Sequence, residues 1–427
     1  MPSTALLTDR YELTMLASAL RDGSAGRHCV FETFARRLPD GRRYGVVAGT
    51  ARLLDLLERF RFGPDELAAL AAAGLGGPAL DALAQWRFAG DVDGYPEGEL
   101  YFPGSPVVTV SGTFGEAVLL ETLVLSVLNH DCAVASAAAR MVTAAGGRPL
   151  IEMGSRRTQE EAAVAAARAA YLAGFASTSN LEAGRRHGIP TTGTAAHAFT
   201  LLHDSEAAAF KAQVDTLGVG TTLLVDTYDI AQGIRTAVEV AGPGLGAVRI
   251  DSGDLTVLAH QAREQLDALG ATGTRIVLSG DLDEWALAAL AAAPVDAYGV
   301  GTAVVTGSGA PTAGMVYKLV EVDGRPVAKR SEHKGTHGGR KTALRRHRAT
   351  GTATEEVLVP ARARPKLGPS DRQLQVPVMR AGKRVAGLPD LEESREHLRR
   401  ALRTVPWEGL KLSRGEPALP TVLVEGP

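Results

Sequence analysis

Three acidic segments in the middle of the chain each follow a short apolar run. They are Asp226-Thr-Tyr-Asp229, Arg249-Ile-Asp251-Ser-Gly-Asp254 and Ser279-Gly280-Asp281-Leu-Asp283. Grouped at one edge, such carboxylates suit ribose hydroxyls, Mg²⁺ or a developing cationic carbon, because each needs a hard anionic oxygen. The alternative is helix N-capping, which is the stronger interpretation for Asp254 and Asp283 and the weaker one for Asp226 and Asp251.

Two neighbouring arginines precede a predicted helix and could bind an anion. They end the segment Glu152-Met153-Gly154-Ser155-Arg156-Arg157, after which Thr158 to Glu161 form a capping-box pattern. Free backbone N–H groups, the helix dipole and bidentate guanidinium donors all favour phosphate or pyrophosphate. The alternative interpretation is a solvated arginine pair at the start of a helix.

A glycine-rich segment, Gly299-Val-Gly301-Thr302, could bind a second anion. Glycines let backbone N–H groups approach a phosphate closely, and the threonine hydroxyl adds a donor. Alone the pattern is a weak signal. Its position after a late strand strengthens it, because phosphate sites recur after the last strands of barrel folds.

His197 closes the segment Gly193-Thr194-Ala-Ala-His197, which follows another predicted strand. A lone histidine is most often structural. On an edge that also carries arginines and carboxylates, an imidazole could instead do acid–base chemistry or attack a phosphoryl donor as a nucleophile. The residues alone leave both interpretations open.

These segments recur at intervals that indicate the elements positioning them. A short β-branched run, a polar or glycine-rich break and an alanine-rich stretch with helical spacing repeat seven times. The runs end near Met153, Ala176, Thr194, Asp226, Asp251, Ser279 and Val300. Successive ends lie 18 to 32 residues apart, which is the length of a strand–loop–helix unit.

Continuous apolar strands alternating with helices predict a parallel sheet covered on both faces. The number of units favours an α/β fold with a (β/α) barrel of about seven parallel strands over an open sheet. In such folds the chemistry lies at the carboxyl ends of the strands, where the polar residues fall in this sequence. We therefore predict a barrel with the active site over residues 131–320.

The flanks have a different pattern and predict an α+β flanking domain formed by the N-terminal and C-terminal segments. Residues 1–130 contain helical patterns and strand candidates, with helices at 12–20, 49–60, 64–72 and 115–129 and strands at 28–34 and 98–110. Residues 321–427 begin with a hairpin turn at 322–326, followed by a basic loop and a proline-rich tail. We expect this tail to pack back on the N-terminal segment.

Composition excludes several classes of protein. The 427 residues are 45% apolar and 22% charged, as in a globular protein with a sizeable core, and a net charge of −2 attracts neither nucleic acid nor an anionic membrane. The N-terminus lacks a signal-peptide pattern, and the longest apolar run, 117–128, is too short to span a bilayer. We expect a cytoplasmic protein without a membrane partner.

The two cysteines and one basic segment also allow predictions. Cys29 and Cys132 lie outside any CxxC spacing, so they predict buried apolar residues and neither a thiolate zinc site nor a disulfide. The segment from Arg325 to Arg348 carries nine Lys or Arg and one acid, without aromatics. It favours an exposed basic hairpin, or a rim that helps hold a polyphosphate, over nucleic-acid binding.

Six segments also form a specific set of motifs when taken in order. They are Thr8-Asp-Arg-Tyr11-Glu-Leu-Thr-Met15, Phe31-Glu-Thr-Phe-Ala-Arg-Arg-Leu-Pro39, Glu152 to Arg157, Gly193 to His197, Val248 to Asp254 and Gly299 to Thr302. Together they resemble the motifs of nicotinate phosphoribosyltransferases, from residue 6 to about residue 345. The resemblance implies transfer of nicotinate to 5-phosphoribosyl-1-pyrophosphate with Mg²⁺, giving nicotinate mononucleotide and pyrophosphate for NAD biosynthesis. It also implies coupling to ATP hydrolysis through a phosphohistidine, an irregular seven-stranded barrel and a homodimer with a shared active site.

The resemblance implies roles for the matching residues. His197 would be the phosphorylated catalytic residue, with Asp226 and Asp251 as catalytic carboxylates and Asp251 binding the ribose. Nicotinate would be held by Tyr11 from the other subunit, Thr194, Arg249, Ser179 and Met153. Phosphoribosyl pyrophosphate would be bound by Arg156, Gly280, Asp281, Gly299, Gly301 and Thr302. No metal site made by the protein alone is expected, and Mg²⁺ and ATP would enter with the substrates.

Departures from the family pattern define the rival interpretations. Met153 occupies a position where many relatives have a Phe that stacks on the pyridine ring, but a thioether can also lie against a ring. The cysteine cluster that gives some relatives a zinc module is absent from the sequence. A nicotinamide-using relative has an Asp at the position of Ser179, and since an Asp would repel a carboxylate, Ser179 favours the acid. The other rivals are a quinolinate phosphoribosyltransferase and a catalytically silent pyridine-nucleotide-binding protein.

Overall fold

The computed structural model describes residues 2–329, 337–363 and 367–424. The helices over these residues are α1 Arg10–Asp22, α2 Thr50–Glu58, α3 Pro64–Ala72, α4 Gly77–Gln85, α5 Phe114–Ala117, α6 Glu121–Ala144, α7 Glu160–Leu172, α8 Leu181–His187, α9 His197–Leu202, α10 Glu206–Leu217, α11 Ile230–Ala241, α12 Leu255–Ala268, α13 Glu284–Ala289, α14 Thr302–Val305 and α15 Leu391–Thr404.

The strands over the same residues are β1 His28–Ala35, β2 Gly45–Val46, β3 Asp91–Gly94, β4 Leu100–Tyr101, β5 Val108–Thr113, β6 Leu150–Glu152, β7 Ser177–Thr178, β8 Thr222–Leu224, β9 Ala247–Ile250, β10 Arg275–Ser279, β11 Ala297–Val300, β12 Met315–Val322, β13 Arg325–Pro326, β14 Lys341–His347, β15 Ala353–Pro360, β16 Arg372–Gln373, β17 Val376–Arg380, β18 Lys383–Arg384 and β19 Thr421–Leu423. The chain forms two compact units, residues 1–136 with 310–427 and residues 137–309. The domain limits at residues 130 and 320 stay a prediction.

The unit of residues 137–309 is built on a parallel sheet of six strands in the order β7-β6-β11-β10-β9-β8. The strand bodies are apolar and buried, as at Leu223, Val248 and Ile276. Alanine-rich helices lie between successive strands, and α7 is buried along its length from Ala163 to Leu172. Because all the strands run the same way, their carboxyl ends meet at one edge of the sheet. The predicted α/β fold with a parallel sheet is confirmed.

One of the seven predicted strands is not a strand in the structure. The segment ending near Thr194 contributes a single parallel bridge between Thr178 and Thr191, followed by residues without regular structure. Pro190 lacks a backbone N–H, and Gly193 weakens an extended ladder, so the pairing of this segment is limited to that bridge. The Thr194 side chain still contacts the parallel sheet, because its hydroxyl accepts a hydrogen bond from Arg249 of β9.

The unit of residues 1–136 and 310–427 is α+β. Its larger sheet has seven strands in the order β13-β12-β1-β5-β3-β17-β18, so three strands from the N-terminal part of the sequence lie between strands from the C-terminal part. A second sheet has the order β16-β14-β15-β19. The predicted hairpin turn is present, with Asp323 and Gly324 at positive φ between β12 and β13. The predicted strand at 98–110 is instead two strands, β4 and β5.

The apolar helix expected to end at Asn129 continues to Ala144 as α6. Its polar interruption, Asn129-His130-Asp131, does not end the helix, because Asp131 is buried and accepts hydrogen bonds from Arg52 at 2.8 and 3.0 Å. In the described part of the chain, Phe114–Ala144 is one helical stretch long and apolar enough to cross a membrane, and 67% of its most apolar window is buried in the protein. The core helix of a globular protein has the same properties.

Both cysteines are buried, as the sequence predicts. Burial raises the pKa of both thiols, to about 11 for Cys29. Neither thiol is therefore a reactive thiolate at neutral pH.

Candidate active site

A pocket of about 150 Å³ opens at the carboxyl edge of the parallel sheet. The residues that line it come from the ends of β6, β9, β10 and β11: Met153, Arg156, Arg157, Arg249, Asp251, Ser279, Gly280, Asp281, Gly299, Gly301 and Thr302. Ten of these were candidate site residues from the sequence, the exception being Ser279. The structure therefore brings most of the candidates to one pocket.

Arg249 lies at the centre of the polar contacts in this pocket, and its side chain is 11% exposed. Its Nε donates to Ser279 Oγ at 2.7 Å, one terminal nitrogen donates to Asp251 Oδ1 at 2.8 Å, and the other donates to Thr194 Oγ1 at 3.2 Å. A guanidinium has five N–H donors, so about two N–H groups have no partner within the described residues. They are on the two terminal nitrogens, and such a pair of donors suits a carboxylate.

Asp251 is half-buried beside this guanidinium. Burial opposes ionisation, but the hydrogen bonds from Ser279 and Arg249 and the positive charge of Arg249 outweigh it and lower the pKa of Asp251. The carboxylate is therefore ionised at neutral pH and can accept hydrogen bonds from hydroxyl groups in the pocket.

Asp226 and His197 form a second group at the same edge of the sheet. The Asp226 side chain is 1% exposed, and its Oδ1 lies 3.0 Å from His197 Nε2. Its Oδ2 accepts from the backbone N–H of Asp251 at 2.9 Å and from Ser252 Oγ at 2.8 Å. Asp226 therefore joins the imidazole to the main chain of Asp251, while the His197 side chain is 42% exposed and available to a ligand.

The N-capping alternative is confirmed for the other two carboxylates. Asp254 accepts from the backbone N–H of Val257 at the start of α12. Asp283 accepts from the backbone N–H groups of Trp285 and Ala286 at the start of α13. These two residues have structural partners and do not line the pocket.

The loop after β6 carries the two arginines into the pocket. Buried Glu152 shapes this loop by accepting from the backbone N–H of Gly154 and from the Thr178 hydroxyl, and burial raises its pKa. Arg156 and Arg157 are exposed and form no ion pair within the described residues. The capping box predicted at Thr158 is wrong, because α7 begins one residue later with Gln159 as its N-cap, whose amide oxygen accepts from the N–H of Ala162 at 2.8 Å.

Glycines let the strand ends approach one another around the pocket. A Cβ at Gly280, where φ is +109°, would lie 2.2 Å from the carbonyl oxygen of Asp251. A Cβ at Gly299 would lie 2.7 Å from Met153 Sδ. Larger residues at these two positions would displace the neighbouring loops, so the glycines are required by close packing.

Five candidates lie outside the pocket lining: His197, Asp226 and Thr194, whose contacts are described above, and Ser179 and Tyr11. Ser179 is partly buried after β7, and its backbone N–H donates to the carbonyl oxygen of Glu152 at 2.8 Å. Tyr11 belongs to the other unit, where its side chain is 46% exposed. Burial and the carboxylates of Glu121, Glu12 and Asp9 raise the Tyr11 pKa to about 12, so the phenol is neutral at physiological pH.

Part of the basic segment from Arg325 to Arg348 is buried. Lys341 is buried and pairs with Glu32 at 2.7 Å, and Arg345 is fully buried between Glu99 and Glu356, both at 2.6 Å. These cations are ion-paired in the core of their unit, so the expectation of an exposed basic hairpin is wrong for them. Residues 330–336 of the segment lie outside the described residues.

Sequence reasoning missed one pocket residue whose contacts are central. Ser279 was noted only as the end of a strand, yet its hydroxyl contacts both Arg249 and Asp251. The available signal was a hydroxyl at the carboxyl end of β10, beside the strand that carries Arg249. In the described residues no group of three His, Cys, Asp or Glu could hold a metal ion by itself.

The fold and pocket define a class: an α/β protein with a parallel sheet, whose carboxyl edge carries cations, carboxylates and glycine-containing loops. A family model described as the nicotinate phosphoribosyltransferase (NAPRTase) N-terminal domain matches residues 6–129. The chain is 65% identical over 424 residues to a nicotinate phosphoribosyltransferase of Mycobacterium tuberculosis, covering 97% of this chain and 94% of the relative. It thus belongs to the nicotinate phosphoribosyltransferase family, and the resemblance inferred from its motifs is confirmed.

Two further comparisons agree with this assignment. A second nicotinate phosphoribosyltransferase of M. tuberculosis is 42% identical over 422 residues, covering 95% of this chain and 88% of the relative. The crystal structure of human nicotinic acid phosphoribosyltransferase matches with a TM-score of 0.85 at 28% identity, covering 98% of this chain and 97% of that one. The similarity therefore extends over both compact units of the chain.

Proposed function

We propose that this protein is a nicotinate phosphoribosyltransferase, which joins nicotinate to 5-phosphoribosyl-1-pyrophosphate and releases pyrophosphate in the salvage of nicotinate for NAD biosynthesis. The observation that carries the proposal is the pocket around Arg249, where two guanidinium N–H groups have no partner within the described residues. A largely buried cation with free paired donors suits a substrate carboxylate. The 65% identity to a nicotinate phosphoribosyltransferase supports the same reaction.

Each side of the pocket has a role in this proposal. Arg249 and Thr194 bind the nicotinate carboxylate, and the pyridine ring lies against Met153, with Ser179 nearby and Tyr11 contributed by a partner subunit. The 5-phosphate binds at Gly299, Gly301 and Thr302, and Arg156 binds the pyrophosphate. Gly280 and Asp281 border the phosphoribosyl moiety.

The pocket residues would act by binding and electrostatics. As the bond from the anomeric carbon to pyrophosphate breaks, positive charge develops on the sugar and negative charge on the leaving group. Asp251 is ionised and can hold the ribose hydroxyls beside the developing cation, while the exposed Arg156 stabilises the leaving pyrophosphate. The ring nitrogen of nicotinate then attacks the anomeric carbon, so the protein supplies no covalent nucleophile to this transfer.

The pocket also fits Mg²⁺ as a companion of the substrate. Mg²⁺ usually binds through one or two carboxylates together with substrate phosphates. Asp251 and Asp281 line the pocket and can supply those carboxylates. When bound, the ion neutralises phosphate charge on the substrate.

ATP coupling, a homodimer and a cytoplasmic location complete the proposal. His197 is the candidate phosphohistidine, because it is partly exposed and its second nitrogen is held by Asp226. The shared active site requires Tyr11 of a partner subunit.

We also propose that the parallel sheet closes into an irregular seven-stranded barrel, with the segment at Thr194 completing the closure.

The test is product formation from nicotinate, nicotinamide or quinolinate with phosphoribosyl pyrophosphate and Mg²⁺, with and without ATP. We expect kcat/KM for nicotinate to exceed that for nicotinamide by at least about 10²-fold. A charged hydrogen bond is worth about 1.5–3 kcal/mol, and burial of Arg249 adds to the difference. ATP should increase product formation. Equal turnover of acid and amide would contradict this pocket assignment, and turnover of quinolinate alone or of none of them would contradict the proposed function.

A further inference from the structure

Ser279 connects the two charged residues at the centre of the pocket. It is the last residue of β10, and its side chain is nearly inaccessible, with the residue 3% exposed. Its Oγ accepts from Arg249 Nε at 2.7 Å and donates to Asp251 Oδ1. A single hydroxyl thus uses both its donor and its acceptor capacity between a guanidinium and a carboxylate.

These contacts determine how Arg249 is presented to the pocket. Ser279 and Asp251 occupy one edge of the planar guanidinium, through its Nε and one terminal nitrogen. The donors left for a ligand are therefore those on the terminal nitrogens. Without the serine, the Nε–H would lose its partner, and the guanidinium could rotate toward other acceptors.

The same hydroxyl also acts on Asp251. Its donated hydrogen bond stabilises the carboxylate, and among the interactions that lower the pKa of Asp251 it is the foremost. Removal of this donor would leave Arg249 as the one side-chain donor to Asp251 Oδ1 within the described residues. The carboxylate would then be held less firmly in its present orientation.

We propose that Ser279 is a positioning residue that orients Arg249 toward the carboxylate of the pyridine substrate and holds Asp251 for the ribose. The proposal rests on the proposed function, since it assumes that Arg249 binds nicotinate. Ser279 itself need not touch the substrate. Its effect should therefore appear in the KM values of both substrates.

The experiment compares the full-length protein with its Ser279→Ala and Ser279→Cys variants, and with Ser177→Ala as a control. Ser177 is a serine in the same sheet at β7, outside the pocket lining. We expect Ser279→Ala to raise KM for nicotinate by about 10-fold or more, because a hydrogen bond to a charged group is lost. KM for phosphoribosyl pyrophosphate should also rise, because Asp251 loses one of the two side chains that hold it. Ser177→Ala should behave like the parent, and Ser279→Cys, with a weak donor and acceptor, should fall between the two.

The outcomes separate this inference from the proposed function. An inactive parent protein would refute the proposed function, whatever the variants do. An active parent together with unchanged KM values for nicotinate and phosphoribosyl pyrophosphate in Ser279→Ala would overturn the inference alone. A fall in kcat at every pH with a lower unfolding temperature and unchanged KM values would also overturn it, because that is the result of a structural role. If Ser279→Ala does not fold, the same two readouts are taken from Ser279→Cys, and parental values there overturn the inference.

Discussion

If His197 is phosphorylated as proposed above, replacement of Asp226 by asparagine should strongly slow that phosphorylation with little change in side-chain shape. A carboxylate only accepts hydrogen bonds, so His197 Nε2 must carry a proton toward Asp226 Oδ1, 3.0 Å away. The other ring nitrogen, Nδ1, then has the free lone pair that could attack a phosphoryl group. Asp226 therefore selects the reactive tautomer of His197.

The contacts of Asp226 predict how the substituted amide would settle. Two donors, the backbone N–H of Asp251 and the Ser252 hydroxyl, face Oδ2 of Asp226, so the single oxygen of the amide would stay on that side. The amide NH₂ would then face His197 Nε2 and favour the tautomer with its proton on Nδ1. Reversal of this preference costs a hydrogen bond to a charged group, about 1.5–3 kcal/mol, which corresponds to roughly 10-fold to 150-fold in phosphorylation rate.

The assay is incubation with γ-labelled ATP, followed by measurement of acid-labile, base-stable label on the protein. Nitrogen-15 NMR of the histidines would report the tautomer directly. Asp254→Asn is the matched control, because an asparagine caps a helix as well as an aspartate does and Asp254 is the N-cap of α12. Labelling of Asp226→Asn at the rate of the parent protein would refute the tautomer argument.

Two further predictions concern His197 and the dimer. His197→Asn should abolish the label and the increase in product formation caused by ATP. It should leave a slow ATP-independent transfer, because the contacts to ribose and 5-phosphate do not depend on the imidazole. ATP hydrolysis that still accompanied product formation in this variant would exclude the phosphohistidine. When inactive Tyr11→Ala and Arg249→Ala chains are mixed and refolded, some activity should return, because a hybrid dimer contains one intact site. Absence of recovery in verified heterodimers would count against a shared site.

The sequence predicted the strand-end residues well because their signal is local. A buried strand in a parallel sheet is an apolar run, and the first polar residues after it lie at the carboxyl edge. Asp226, Asp251 and Gly299 were found in this way. The direction in which each side chain points depends on the tertiary structure and has no local sequence signal. The sequence therefore could not show that Asp226 faces His197 while Asp251 faces Arg249.

The errors arose where a tertiary contact overrides a local pattern. Asn129-His130-Asp131 is typical of a helix end, but Arg52 pairs with the buried Asp131 and α6 continues. Lys341 and Arg345 belong to a basic run in the sequence, but in the fold buried carboxylates pair with them. Partners distant in the sequence supplied the compensating charge in each case, and no window of neighbouring residues contains that information.

The charges of the pocket explain why an acid should be preferred as the substrate. Arg249 and Asp251 form an ion pair, so their side chains together carry no net charge. A substrate carboxylate bound to the two unpartnered N–H groups of Arg249 would compete with Asp251 for the guanidinium. The Asp251 carboxylate would then be more available to the ribose hydroxyls and to the developing cation. A neutral amide would leave that ion pair intact, because it withdraws less of the guanidinium charge. Binding of the acid would in this way prepare Asp251 for catalysis, and selectivity should therefore appear in kcat as well as in KM.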